Sequence, residues 1–462
     1  MSKDIDRLLW LGAAMLGAAC AFALWHAAAM IPLRLPLDPN EGWNAYHALA
    51  AMHGGALYPG PGSGMVNNYP PLSFYAVALV AKFTGDAIVA GRILSLASLL
   101  FVIAAIAIGA RRLGASKPAA LFAALWFLAG LLAFSDYVAM DDPQMLGHAI
   151  DLAGLLLLLN RQTIAAALAM TIALFVKQNL VALPLAALLW LILFERKAAP
   201  RFAIAGLASG VAGLVLFREV YGQGIFGVIA SPRTFSLALL ARNAATWTIW
   251  SGPAMAAAIA LLLAGRADRN TAFCALYALI GIAIGTGFSA GAGVDLNVWF
   301  DAAIALSLIG ALALTRFHNP IQKGLALAAY LLPLLSGLAL SYDESWRDRD
   351  TWLHPGADAA EIAQADIDFL KAHRGPALCE MLSLCYWAAK PAEVDTFNLG
   401  QAFATGARSD RALAARIEAG DFAALQFDSL DDFALGPRVK AAVLKRYRID
   451  HENDDGVFLV PR

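Results

Sequence analysis

Leu37-Asp38-Pro39-Asn40-Glu41-Gly42-Trp43 is the stretch on which the reading of this chain turns. It follows residues 8–31, an apolar run flanked by Lys3 and Arg7 and long enough to cross a bilayer as one helix. The carboxylates of Asp38 and Glu41 therefore fall at the far membrane surface. Only 15% of the 462 residues are charged, so two acids kept here need a reason. One reason is a capping box: Asp38 as N-cap, Pro39 at the first helical position and Glu41 at the third, reaching back. Trp43, Tyr46, Leu49 and Ala50 then form one apolar stripe of a surface helix that ends at Gly54-Gly55. The other reason is chemistry at the lipid boundary. The two are compatible, because a cap fixes a carboxylate where a substrate hydroxyl can meet it.

Working outward, 60% of the residues are hydrophobic and the mean hydropathy is +0.62, which marks an integral membrane protein. The net charge of −1 leaves no basic patch for phosphates of DNA or RNA, so no nucleic acid is expected as a partner. The first apolar run is too long for a signal-peptide core and reads as a retained span. About eleven spans are expected, near 8–31, 87–110, 117–135, 143–160, 162–177, 179–194, 202–218, 244–264, 271–289, 297–315 and 321–340. With a cytoplasmic N-terminus, Arg111/Arg112/Lys117, Arg161, Arg196/Lys197/Arg201, Arg266/Arg269 and Arg316/Lys323 all fall on the cytoplasmic side, as the positive-inside rule asks.

That topology puts residues 32–86, 136–142, 219–243, 290–296 and everything after 340 on the outer face. Residues 71–84 are apolar but too short for a span, and counting them as one would invert the Arg111/Arg112 loop. They read as an interfacial or re-entrant helix. Two domains follow: a transmembrane part over 1–340 and a soluble, charged part over 341–462. In the latter, Phe422–Phe427 reads as a strand, and Asp410–Glu418 and Val439–Tyr447 as helices, giving a small α/β or α+β fold. Cys20 and Cys274 read as packing residues within spans. Cys379 and Cys385 pair if this tail faces an oxidising compartment.

A second acidic pair, Asp141-Asp142, precedes Pro143 at the outward end of the third span. It reads as a helix cap or as a partner that orients a general base or binds a cation. His148 and Asp151 follow inside the bilayer, where an acid is either a functional group or paired with a neighbouring helix. Lys177, with Gln178 and Asn179 at an outer turn, departs from the positive-inside bias. It either snorkels to head groups or contacts a lipid-linked phosphate. Arg218, Arg233 and Arg242 around the outer loop are further cations of this kind. Tyr69-Pro70-Pro71-Leu72 reads as a rigid loop end, and His47 and His53 as surface histidines. No phosphate-cradling glycine loop and no Cys/His zinc cluster is present.

A first span, an acidic motif with a helix, then Pro-Pro-Leu, then a second acidic motif after the third span resembles the GT-C superfamily of polyprenyl-phosphate-sugar-dependent membrane glycosyltransferases. The pattern is nearest to the protein O-mannosyltransferase and lipid A aminoarabinose transferase group. Motifs carry the resemblance over roughly residues 8–200, and span count carries it over the rest of the membrane part. It implies that Glu41 with Gly42 matches the family's acidic Asp-Glu pair, Asp141 with Pro143 its second acidic motif, and Lys177 its lysine after the fifth span. Asn40 stands where the family has the adjacent Asp, so the base is Asp38 or Glu41, with Glu41 favoured narrowly. Tyr69 stands where a lysine often precedes Pro-Pro-Leu, which leaves phosphate binding to other cations.

The resulting expectation is a multi-span α-helical, GT-C-like membrane protein with a small C-terminal periplasmic domain, in a bacterial inner membrane. It would move a sugar from a polyprenyl-phosphate donor to a hydroxyl of a glycan, lipid or protein acceptor, with inversion. Glu41, Asp38 and Asp141 are the catalytic candidates, and Lys177, Asp142, Tyr69, Arg233 and Trp43 the substrate-binding ones. The residues name no cofactor outright, and a divalent cation, Mg or Mn, at Asp141 stays open. A transporter or lipid flippase is the rival reading. It calls for internal repeats and broken helices, which the sequence does not display.

Overall fold

A computed structural model describes residues 2–60, 62–222, 231, 233–265, 268–317, 319–340 and 353–462. Arg266, the start of the C-terminal part at 341–352 and most of the 223–232 stretch lie outside the described residues.

The membrane part runs α1 (Ser2–Met30), α2 (Pro39–His53), α3 (Leu72–Thr84), α4 (Ala87–Arg112), α5 (Lys117–Phe134), α6 (Gln144–Leu159), α7 (Thr163–Val176), α8 (Ala182–Phe194), α9 (Ala199–Tyr221), α10 (Leu237–Leu263), α11 (Arg269–Phe288), a 3-10 turn (Leu296–Trp299), α12 (Phe300–Arg316) and α13 (Pro320–Leu340). A helix stands at each of the eleven expected spans. Seven helices among the described residues are long and apolar enough to cross a membrane: α1, α4, α5, α9, α10, α11 and the segment 296–316. Helices α6, α7 and α8 are shorter and apolar. The chain is a multi-pass membrane protein.

Helix α12 is the axis of the bundle: every side chain from Phe300 to Leu314 is buried, and it packs against α11, α5, α10, α4 and α13. Its alanine-rich sequence explains the placement, because small side chains let neighbouring helices approach closely in a bilayer. Helix α3 has the opposite character. Tyr75, Leu79 and Phe83, spaced four apart, are exposed on one face, as an interfacial helix requires.

The C-terminal part holds α14 (Ala357–Ala372), β1 (Ala377–Cys379), α15 (Leu382–Trp387), α16 (Thr396–Ala404), α17 (Arg411–Ala419), β2 (Ala424–Phe427), α18 (Pro437–Arg446), β3 (Tyr447–Asn453) and β4 (Gly456–Pro461). The sheet order is β1-β2-β4-β3, with β1 and β2 parallel and the other pairs antiparallel. The expected strand and both expected helices are present within two residues. Cys379 and Cys385 are bonded, tying the end of β1 to α15, and Cys20 and Cys274 are free and buried.

This domain sits directly on α2. A side chain on Gly42 would run into the backbone of Leu382 and Ser383 at the start of α15. Tyr46 Oη donates to Lys390 O at 2.8 Å, Trp387 Nε1 to Asp86 at 3.0 Å, and the Ala87 N–H to Tyr386 Oη at 2.9 Å. Helix α2 is therefore not a surface helix: its residues from Glu41 to Ala45, with His47 and Ala48, are buried under the domain. His47, expected at the surface, is buried with Nδ1 on Trp43 O at 2.8 Å, and burial lowers its pKa to about 4.

Candidate active site at the α2 start

Asp38 caps α2, as its spacing implies: Oδ1 accepts the Asn40 N–H at 2.7 Å. Glu41 does not complete the capping box. Its Oε1 and Oε2 receive Arg92 Nε at 2.7 Å and Nη2 at 2.6 Å, a bidentate pair with both side chains 0% exposed. Oε2 also accepts the Leu37 N–H at 3.0 Å, and Oε1 the Asp141 N–H at 3.1 Å. The remaining Arg92 donors reach the carbonyls of Leu33 at 2.9 Å and Leu35 at 2.6 Å. One ion pair thus gathers the end of α1, the start of α2, α4 and the 136–142 loop into a knot.

Both oxygens of Glu41 are committed, none of it is exposed, and losing its charge would strand Arg92 in the protein interior. Asp38 is half-buried. Burial pushes its carboxyl up to about 6 against the pull of the Asn40 N–H, and the Asp142 and Glu41 carboxylates add to the rise. A carboxylate that titrates near neutrality is suited to accept a proton.

The second acidic motif divides in the same manner. Asp141 is enclosed against α4, in space left free only because residue 91 is glycine. Asn44 Nδ2 donates to its backbone carbonyl at 2.6 Å, while its Oδ2 has no hydrogen-bond partner among the described residues. Burial, followed by the charges of Glu41 and Asp142, raises its pKa well above the carboxylate range. A cation requires a deprotonated ligand, and no three His, Cys, Asp or Glu side chains among the described residues converge as a metal-holding group.

Asp142 is the member that faces the site. Lys177 Nζ reaches its two oxygens at 3.0 and 3.1 Å and Tyr69 Oη at 3.2 Å, and it lies 4.4 Å from the Tyr69 ring centroid. All three ammonium protons are thereby directed, so Lys177 offers the site its charge rather than a free N–H. Asp142 also caps α6 by accepting the Gln144 N–H at 2.7 Å. Ala139, in the loop before it, adopts a left-handed backbone with φ 58°, the kind of local strain that collects at functional sites.

Arg233 supplies what Lys177 does not. Its guanidinium lies 4.9 Å from the Phe397 ring, and its buried Nη1 has no hydrogen-bond partner among the described residues. Burial lowers its pKa, countered by Tyr69 and Asp395. Gln178 Oε1 and Asn179 Oδ1 are likewise buried and unpartnered there. Trp43 is buried. It packs edge-on to Tyr69 and Phe74 at 5.0 and 5.6 Å, and its Nε1 donates to Val66 O and Asp395 Oδ2 at 2.9 and 3.1 Å.

Sequence reading passed over three contributors. Arg92 is a lone cation at the start of an apolar helix, a signal that a charge inside a span always carries. Tyr137 is buried within electrostatic reach of Asp142, Tyr69, Asp295 and Asp38, and burial with these neighbours drives its phenol far above the usual range. Asp395 reaches in from the C-terminal domain, which no local pattern announces. It holds Trp43 and Asn398, and Asn398 in turn accepts from Asn68 at 3.3 Å. Deeper in the bundle, Asp151 is fully buried with neither oxygen hydrogen-bonded among the described residues, and Tyr277 Oη donates to Asp301 at 2.6 Å.

No protein-family profile and no curated protein matches this sequence. Solved structures do. The crystal structure of ArnT from Cupriavidus metallidurans bound to undecaprenyl phosphate superimposes with a TM-score of 0.61 at 15% identity, covering 96% of this chain and 97% of that one. The apo-state structure of the same protein gives the same values. The likeness covers nearly the whole chain, so the chain has an ArnT-like fold.

Proposed function

We propose that this protein is a polyprenyl-phosphate-dependent glycosyltransferase working at the membrane face that carries the C-terminal domain. The observation that carries the reading is the division of labour at the α2 start: a half-open carboxylate titrating near 6 stands beside a charge-balanced Asp142–Lys177–Tyr69 group, with Arg233 holding an unsatisfied donor. The ArnT structure holding undecaprenyl phosphate supports a lipid phosphate as the ligand for these cations.

The acceptor hydroxyl gives its proton to Asp38 while its oxygen forms a bond to the anomeric carbon. The bond from that carbon to the phosphate oxygen breaks, and its electron pair leaves on the polyprenyl phosphate. Arg233 donates to that oxygen, and the Lys177 charge stabilises it, through interactions that strengthen as the negative charge develops. A single displacement inverts the anomeric centre. The bonded Cys379–Cys385 pair supports a C-terminal domain on the oxidising side, hence a periplasmic site with the N-terminus in the cytoplasm.

The test uses purified protein in lipid nanodiscs with a synthetic polyprenyl-phosphate sugar. Release of polyprenyl phosphate together with a glycosylated product, lost in Asp38→Asn, is the expected result. Movement of the intact donor across the bilayer without sugar release would replace this reading with a flippase.

A further inference from the structure

Helix α15 is where the C-terminal domain meets α2, and by itself it is weak. It has six residues, against the roughly 12–15 that a helix needs to hold together alone in water. The strand before it, β1, has three residues and pairs only with β2, at the edge of the sheet. The Cys379–Cys385 bond fixes one to the other, from the last residue of β1 to the middle of α15. Lys390 closes the far end, its backbone N–H on Cys385 O at 2.9 Å and its Nζ on Gly375 O at 3.0 Å.

Helix α15 in turn holds the starts of two membrane helices, α2 and α4. Its first residues, Leu382 and Ser383, set their backbone against Gly42 of α2. Its last residues grip α4: Tyr386 Oη accepts the Ala87 N–H at 2.9 Å, and Trp387 Nε1 donates at 3.0 Å to Asp86, the N-cap of α4. The Trp387 ring lies 5.9 Å from the Arg92 guanidinium, which carries Glu41. Both cysteines lie in the apolar core shared with Ala45 and Ala48 of α2 and with Ala87, Ile88 and Ala90 of α4, and each is 1% exposed. Thiol exchange needs access to the sulfur, so this bond forms before the domain settles on α2.

Resting, for its effect on activity, on the function proposed above, we infer that Cys379–Cys385 is a latch that makes the active site depend on oxidation. Two thiols give their two protons and two electrons to the disulfide of an exchange partner, which leaves as a dithiol. The bonded segment then docks on α2 and α4 and sets the position of the Asp38 carboxylate. Leu382, Tyr386 and Trp387 are positioning residues that act through these two helices. A chain kept reduced holds its bundle but not its α2 start, so transfer waits until the C-terminal domain meets an oxidising compartment.

Hydrogen exchange of the full chain in nanodiscs, wild type against the double variant Cys379→Ala/Cys385→Ala, tests this. Exchange at 382–390 and at 39–46 should rise about 30-fold in the variant, the low end of what losing a disulfide does to an equilibrium. Exchange over 300–316 should stay as it is, which reports an intact bundle. Transfer should fall about 10²-fold, as a shift of roughly 1 Å at a site does. The loss should lie in kcat, with KM for the polyprenyl-phosphate sugar unchanged, since Lys177 and Arg233 find their partners away from α15. Wild-type chain made in reduced form should show the same state and recover with oxidised glutathione. Unchanged exchange at 39–46, a rise shared equally by 300–316, or full transfer by the reduced chain each overturns the inference. If the oxidised wild type releases no sugar, the exchange contrast still decides the latch, and the proposed transfer is what fails.

Discussion

Asp38 and Glu41 stand three residues apart at the start of one helix, and the structure gives them opposite tasks. Glu41 has 0% exposure, two short bonds to Arg92 and two backbone N–H partners. Asp38 is half-buried, accepts one N–H, and feels the Asp142 carboxylate. The contrast repeats at Asp141 and Asp142, adjacent in sequence and facing opposite ways. Each motif spends one carboxylate on the scaffold and leaves one for the site. The difference teaches that a pair of acids in sequence is a statement about location, and that the partner each one finds decides its role.

The sharpest break of this comparison is Asp38→Asn, which keeps the cap geometry and removes the base. Transfer should fall about 10²–10⁴-fold with the thermal midpoint unchanged, measured by product formation and by unfolding in detergent. In the wild type the rate should fall about tenfold for each pH unit below about 6, because only the ionised Asp38 accepts a proton and its pKa is raised to about 6. A rate flat down to pH 4 would remove Asp38 from the chemistry.

Arg92→Ala acts on the other half. It leaves Glu41 charged and unpaired in the interior, and should destabilise by about 3–5 kcal/mol, read as loss of folded protein. Glu41→Gln with Arg92→Met should recover part of that loss, since an uncharged pair has no desolvated charge to strand. Lys177→Met comes next: transfer should drop about 10²–10³-fold with weakened binding of polyprenyl phosphate, and unchanged donor affinity would confine Lys177 to holding Asp142. Gly42→Ala acts on the contact between the two parts: its methyl group meets the backbone of Leu382 and Ser383, which cannot swing aside as a side chain can, so the start of α15 must shift off α2, seen as faster proteolysis near α15.

Helices stood where the chain pattern placed spans because a bilayer imposes a one-dimensional rule: some twenty apolar residues must be satisfied within the segment itself. The cap at Asp38, the stop at Gly54 with φ 69° and the short interfacial α3 were legible for the same reason, each being set by neighbours within a few residues. The buried state of α2 was not legible, because its cover, α15, lies some 340 residues further along the chain. The partners of Trp43 were not legible either: its N–H is taken by Val66 and by Asp395, 352 positions away.

The sequence by itself thus determined a membrane bundle, the order of its helices, and the presence of two acidic motifs beside the spans. Only the tertiary structure decided which partner each acid of the two motifs finds. Glu41 meets Arg92 across 51 residues and Asp142 meets Lys177 across 35. Hydropathy and capping are local and can be read along the chain. The charge state of a carboxylate depends on burial and on the charges folded against it, and those are set by contacts that no stretch of sequence contains.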